Sequence, residues 1–385
     1  MKSVKFVVAP DSFKESLSAL QVARAIAEAI RDVIPAAKIE IIPMADGGEG
    51  TVEALTAAAE GELLSAEVTG PLGTPVQAIY GIINNGNQGD KEQRTAVLEA
   101  ASVFGLSFVP IDERNPYRTT TRGMGELMLQ LLNQGIRRFI IGLGGSGTND
   151  GGIGMLAALG AKFYNGQGQS LYGYGQDLLE LKSVNVEALD ARLSECDIVI
   201  ASDVQNPLCG SDGASVIYGP QKGAQPDQVT ALDLALNQYA DILEEQTGRK
   251  AKTFPGAGAA GGTGFALLSV GAKIVQGAEV VANASRLRSK LTGADWVITG
   301  EGKSDNQTLN GKLPLYVARL AKEAGVRTIL ISGSLGENAD ELEMEFAASF
   351  SCVPRPMSLA VCLEQAEKNL SACARNVVRL IRSES

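Results

Sequence analysis

Three short apolar runs in this chain each break into a glycine loop that carries its own carboxylate. The loops are Ala45-Asp46-Gly47-Gly48-Glu49-Gly50-Thr51, Gly144-Gly145-Ser146-Gly147-Thr148-Asn149-Asp150-Gly151-Gly152 and Thr299-Gly300-Glu301-Gly302-Lys303-Ser304-Asp305. A strand that ends in a glycine turn and resumes as a helix is the unit of doubly wound α/β folds, so the chain is restricted to that class. Glycine also lets backbone N–H groups approach a phosphate closely. A carboxylate in the same loop repels bare phosphate but can hold Mg²⁺ beside it. Loops of this mixed kind point to a metal–nucleotide site.

The rest of the chain follows the same grammar at both ends. Val4–Ala9 reads as a buried strand bounded by Pro10. Ser18-x-x-Gln21 is a capping box ahead of Val22, Ile26, Ile30 and Val33 at helical spacing, and Pro35 stops that helix. Lys38–Pro43 is the next strand and Gly50–Ala59 the next helix. Residues 62–98 alternate apolar and polar around turn signals at Gly70-Pro71-Leu72-Gly73 and Asn84-Asn85-Gly86-Asn87. Antiparallel strands are expected there, leading into Thr95–Glu99. Helix Thr121–Gln134, strand Arg138–Leu143, helix Ile153–Leu159, strand Ile198–Ser202 and a long helix over Pro226–Gln246 follow.

The C-terminal part returns to strand and helix in turn: strand Trp296–Thr299, helix Pro314–Ala324 and strand Thr328–Ser332. A closing helix carries Leu363, Ala366, Leu370, Cys373, Val377 and Ile381 on one face. The expectation is a parallel-sheet domain built from both chain ends (1–80 and 290–385), with a mixed-sheet α/β domain over 81–289 inserted in it. At 385 residues, two domains also suit the length.

Composition removes whole classes of chemistry. There is no histidine, so a Ser–His–Asp triad, a His–zinc site and an imidazole base are excluded. The net charge of −10, without a basic run, argues against nucleic acid as a partner. Five scattered cysteines, never spaced C-x-x-C, read as free thiols in a reducing compartment. No apolar stretch reaches 18 residues and the N-terminal run is too short for a signal peptide, so a cytoplasmic protein without a membrane span is expected.

Single motifs are weak here. Gly142-x-Gly144-x-x-Gly147 matches the dinucleotide fingerprint, but so does Gly256-x-Gly258-x-x-Gly261, and the ribose-binding acid is missing: after Asp150 the next acid is Asp177. Gly300-Glu301-Gly302-Lys303-Ser304 ends like a P-loop, yet Val297 stands where the first glycine is required. Its amides and Lys303 can face a phosphate or simply make a tight turn. Asp11-Ser12-Phe13-Lys14 lies at the carboxyl end of the first strand, where open α/β sheets bind ligands. Asp203 and Asn206 supply oxygens for Mg²⁺ or a polyol, and Lys222 suits an anion; Asx-turn chemistry around Pro207 and Pro220 explains the same residues as well.

Taken together, several strings make the chain resemble the bacterial glycerate kinases of type I. They are Ala9–Lys14, Pro43–Thr51, Gly144–Gly152, Ser202-Asp203-Val204 with Asn206-Pro207-Leu208, Gly219–Ala224, Pro255–Gly262, and Thr299–Gly302 with Asp305, Gln307-Thr308 and Gly311-Lys312. They keep the family's order over about residues 4–335. Glu15 stands where many members have Gly, and Gly147 where many have Ala. The resemblance implies a flavodoxin-like domain plus a second α/β domain, with the active site in the cleft. It also implies ATP- and Mg²⁺-dependent phosphorylation of D-glycerate, with 2-phosphoglycerate as product, in glyoxylate or sugar-acid catabolism.

On that reading a carboxylate must act as base, and Asp203 and Asp46 are the candidates, with Lys14 beside them. Asp11, Ser12, Lys14, Asn206 and Lys222 would bind substrate. Gly47, Gly48, Gly144, Gly145, Ser146, Gly147, Gly300 and Lys303 would bind nucleotide, and Glu301 and Asp305 metal. A monomer or homodimer is expected. The competing readings are an NAD(P)-dependent hydroxyacid dehydrogenase and a non-catalytic sugar-acid binding protein.

Overall fold

Val7, Val8, Val297, Ile298, Leu330 and Ile331 expose no surface. Strands apolar along their whole length need cover on both faces, which helical crossovers over a parallel sheet provide. The computed structural model describes residues 4–84, 94–305, 308, 312–337 and 339–384. Asn85, Gly86 and Asn87 of the second expected turn, and Gln307 and Gly311 of the last string, lie outside them. The chain divides into two compact units: Met1–Asp46 with Glu53–Gly61 and Ala278–Ser385, and Gly47–Val52 with Glu62–Gly277.

The first unit holds a five-stranded sheet. Its spatial order is Ala348–Ser351, Arg327–Ser332, Trp296–Thr299, Lys5–Val8, Lys38–Ile41, and every pairing is parallel. Counted along the chain that order is 2-1-3-4-5, the flavodoxin-like arrangement, whose ligand crevice lies beyond the carboxyl ends of strands 1 and 3. Those are Lys5–Val8 and Trp296–Thr299. Helix Ala19–Val33 opens with Ser18 as cap, its hydroxyl taking the Gln21 amide while the Gln21 side chain takes the Ser18 amide. It buries Val22, Ile26, Ile30 and Val33 against Phe6, Val8 and Ile298 of the sheet and Leu370, Val377 and Ile381 of helix Ala366–Glu384. Leu363 does not join that face: it sits in a separate short helix, Leu359–Glu364, which buries none of its residues.

The second unit holds a six-stranded sheet in the order Lys273–Val275, Asp197–Ala201, Arg138–Gly142, Arg94–Glu99, Pro75–Asn84, Glu62–Thr69. The first four strands run parallel and the last two form an antiparallel hairpin beside them. The mixed sheet thus matches the sequence expectation. The boundary differs, however: Glu62–Thr69 and Pro75–Asn84 fall largely before residue 80, yet their hydrogen-bond partners are each other and Arg94–Glu99, so the N-terminal part of the first unit stops at Gly61. Helices Arg122–Asn133, Ile153–Ala158 and Pro226–Thr247 form within two residues of the expected bounds. Among the described residues no helix is long and apolar enough to cross a membrane.

Candidate active site

In the first unit the loops after strands 1 and 3 of the sheet bind each other. The Asp11 amide donates to Gly300 O at 2.8 Å, and the Thr299 hydroxyl to Ala9 O at 2.8 Å. A Cβ on Gly300 would lie 1.8 Å from Ile331 O, so only glycine lets the chain turn there. The Asp11 carboxylate caps the Ser12 amide at 2.7 Å. Burial, then the Asp46 carboxylate, raise the Asp11 pKa to about 7; the Ser12 amide and Lys14 pull it down, and Glu301 adds a smaller push upward. Asp11, Asp46, Lys14 and Glu301 therefore share one electrostatic neighbourhood, as the sequence placed them.

Glu301 and Asp305 are already engaged. Glu301 Oε1 accepts the hydroxyls of Ser304 (2.9 Å) and Thr308 (2.7 Å), and its Oε2 lies 3.9 Å from Lys312 Nζ. Burial raises its pKa against those three partners. Lys303 Nζ lies 3.3 Å from Asp305 Oδ2. Each of the two carboxylates faces a lysine. Among the described residues no three His, Cys, Asp or Glu side chains converge as a ready-made metal cage. Glu15, the first departure from the family pattern, has a φ of 64°, the left-handed backbone that glycine accepts without strain.

In the second unit the glycines of two loops are interlocked. A Cβ on Gly47, whose φ is 89°, would lie 2.2 Å from Ala201 O; one on Gly144 would lie 2.4 Å from Gly48 Cα. The Gly144 amide donates to Gly47 O at 3.1 Å and the Gly147 amide to Phe104 O at 2.8 Å. Close backbone packing accounts for Gly47, Gly48 and Gly144, and the amides of Gly144 and Gly147 are committed within the protein. The amides of Gly145 and Ser146 have no such partner among the described residues, and Gly145 is exposed at the loop's tip with a φ of 71°. Of the candidate amides on this loop, these two are the ones without a partner among the described residues.

Asp203 stands exposed just beyond strand Asp197–Ala201, where its Oδ1 accepts the Gly277 amide at 3.0 Å. Asn206 is tied into the surrounding loops. Its Nδ2 donates to Asp212 O at 2.8 Å, its Oδ1 accepts the Tyr218 hydroxyl at 2.7 Å, and its carbonyl takes the amides of Gly256 and Gly258. These contacts are not an Asx turn, because the Leu208 amide donates to Lys252 O instead. Lys222 is not at the surface: it is 2% exposed, with Nζ donating to Thr148 O at 2.6 Å and Ser146 Oγ at 3.1 Å. Burial lowers its pKa to about 7, opposed by the field of Asp150.

Two carboxylates to which the sequence assigned no site role organise this unit. Glu99, at the carboxyl end of strand Arg94–Glu99, accepts the Val52 amide at 3.0 Å, and burial raises its pKa to about 7 against the amides of Val52, Gly50 and Thr51. It anchors the segment that carries Gly47 and Gly48. Asp150, wholly buried, accepts the amide (2.8 Å) and hydroxyl (2.7 Å) of Thr121 and the amides of Gly152 and Gly154. Burial raises its pKa even so. Glu99 was findable by the rule that picked out Asp11 and Asp203, a carboxylate at a strand's carboxyl end; nothing local marks Asp150 as buried.

A glycerate kinase family model matches residues 6–382. The chain belongs to the glycerate kinase family. As a member it is a kinase, and the flavodoxin-like sheet with its mixed-sheet companion is a fold it shares with relatives. It is 45% identical over 373 residues to a glycerate kinase of Halalkalibacterium halodurans, covering 96% of each chain. It is 43% identical over 376 residues to the glycerate 2-kinase of Escherichia coli K12, covering 97% of each. The crystal structure of a candidate glycerate kinase 2 from Salmonella typhimurium LT2 superposes with a TM-score of 0.87 at 43% identity, over 100% of this chain and 99% of that one.

Proposed function

We propose that this kinase transfers the γ-phosphoryl group of ATP to the 2-hydroxyl of D-glycerate, giving 2-phosphoglycerate and ADP, and that it needs Mg²⁺. The reading rests on one conjunction. Family membership extends over nearly the whole chain, and most of the strings that carry it fall at the carboxyl ends of strands in both sheets, where α/β folds bind ligands. The 2-position follows the E. coli relative, whose name specifies it.

The Asp11–Asp46 pair suits a divalent cation, because the Asp46 carboxylate helps to raise the Asp11 pKa and positive charge would relieve that repulsion. Asp11 and Asp46 would hold Mg²⁺, in preference to Glu301 and Asp305, which already face Lys312 and Lys303. When bound, the ion neutralises phosphate charge and fixes the orientation of the transferring group. Asp203, exposed and accepting the Gly277 amide, takes the proton of the attacking hydroxyl. Lys14, exposed beside Ser12, binds the glycerate carboxylate. The amides of Gly145 and Ser146 donate to phosphate oxygens, the kind of contact that dominates phosphoryl transfer. Five free thiols suit a reducing compartment, and we place the enzyme in the cytoplasm.

Phosphorus NMR tests the reading. Incubated with D-glycerate, ATP and Mg²⁺, the protein should produce ADP and one new phosphomonoester coupled to the C2 proton. A monoester coupled to the C3 methylene would overturn the regiochemistry, and no new monoester would overturn the function.

A further inference from the structure

Lysine is among the residues least often buried, because desolvating an ammonium is costly unless hydrogen bonds compensate. Lys222 is nonetheless 2% exposed. The sequence builds that burial deliberately. Pro220–Lys222 forms a single 3₁₀ turn closed by Gly223, whose φ is 89° and whose Cβ would lie 2.1 Å from Arg114 O. The turn directs the lysine inward, beneath the loop that presents the Gly145 and Ser146 amides.

The bond to Ser146 has a chemical consequence. An ammonium only donates, so Ser146 Oγ must accept from Lys222, at 3.1 Å. The serine's own proton then points away from the lysine, and no described residue accepts it. Ser146 is buried at 8% exposure but adjoins the exposed Gly145, which sets its hydroxyl beside two amides without partners among the described residues. The second lysine bond, to Thr148 O at 2.6 Å, fixes the same loop two residues on. Thr148 Oγ1 and Asn149 Oδ1, both buried, lack protein partners and offer places for ordered water under the loop.

We propose that Lys222 is a positioning residue that acts through Ser146, turning the serine hydroxyl outward as a hydrogen-bond donor to the phosphate donor. This rests on the kinase reading above, and it departs from direct binding of substrate by the lysine. The ammonium also supplies a buried positive charge behind the loop. Its pKa of about 7 makes that charge incomplete in the free enzyme above neutrality, so binding of an anion should draw a proton onto it. The charged groups around it are few. Asp150, on the same loop, favours the ammonium. Arg114, on the segment packed against Gly223, directs its guanidinium to Val109 O and Gln221 O.

The test compares Ser146→Ala, Lys222→Met and the double variant in steady state from pH 6 to 9. Each single change should raise KM for ATP about tenfold, the scale of one charge-assisted hydrogen bond, with KM for glycerate little changed. The double variant should match Lys222→Met alone, because both changes remove one coupled contact. In the unaltered enzyme KM for ATP should rise above about pH 7, and Ser146→Ala should flatten that rise. Multiplying effects, or a change in the KM for glycerate instead, would overturn the proposal and return Lys222 to direct substrate binding.

If Lys222→Met does not fold, calorimetry of ATP binding at pH 8 in two buffers decides the matter. Proton uptake by the unaltered enzyme together with about tenfold weaker ATP binding by Ser146→Ala supports the proposal; no uptake, or unchanged ATP affinity in Ser146→Ala, overturns it. Unaltered protein that binds ATP but forms no ADP with glycerate would defeat the kinase reading while leaving this binding test intact.

Discussion

A single methyl group at Gly144 tests whether the interlocked glycine loops govern activity. The Cβ of Gly144→Ala would lie 2.4 Å from Gly48 Cα and 3.4 Å from Gly47 O. Carbon atoms in contact sit about 3.5–4.0 Å apart, so the segment bearing Gly48 must retreat by roughly 1 Å. Gly47 cannot absorb that movement freely, since its own backbone is pressed onto Ala201 and its φ of 89° is fixed by the turn. Overpacking of this kind costs about 1–3 kcal/mol, or several degrees in the unfolding transition of a unit this size. Displacing a binding loop by about 1 Å can cost roughly a hundredfold in rate. The variant should therefore fold, melt several degrees lower, and lose about two orders of magnitude in kcat/KM for glycerate phosphorylation. An enzyme with unaltered melting and full activity would refute the packing described for these two loops.

Other substitutions probe the remaining parts of the site. Glu99→Gln tests a pH effect with a definite sign. Its acid is raised from 4.5 to about 7, so the folded state holds the proton more tightly, and stability falls as pH rises from 5 to 8. The loss is on the order of 3 kcal/mol from a shift of that size, and denaturant midpoints of Glu99→Gln should show a shallower fall; parallel curves would refute the assignment. Asp203→Asn should lower kcat by about a hundredfold with unchanged melting, and near-normal turnover would remove Asp203 from the proton transfer. Glu15→Gly should raise stability by about 1 kcal/mol by relieving a left-handed backbone, read as a higher melting temperature; a lower one would contradict the φ of 64°.

What the sequence disclosed follows from how local each signal is. The strand Trp296–Thr299 and the capped helix Ala19–Val33 announce themselves through runs of apolar residues and a cap within a few positions. Lys273–Val275 and Ala348–Ser351 escaped because one has three residues and the other is a half-polar edge strand. The helical period through Leu363 hid a break at Gln365. In the site, Asp11, Asp46 and Glu301 were legible because carboxylates at strand ends meet by topology. The burial of Lys222 was not, because the atoms that hold it lie 74 and 76 residues earlier in the chain. Glycine misled for a related reason: Gly47 and Gly144 look like phosphate cradles locally, and only their contacts with Ala201 and Gly48 reveal a packing role.

The most direct measurement is ADP release by the purified protein, with D-glycerate, Mg²⁺ and ATP each omitted in turn and with NAD and NADP substituted for ATP. Phosphoryl transfer predicts ADP formation that needs all three components and matches glycerate consumed mole for mole, with no reduction of either nicotinamide. ADP formation independent of glycerate, or turnover only with a nicotinamide, would contradict it.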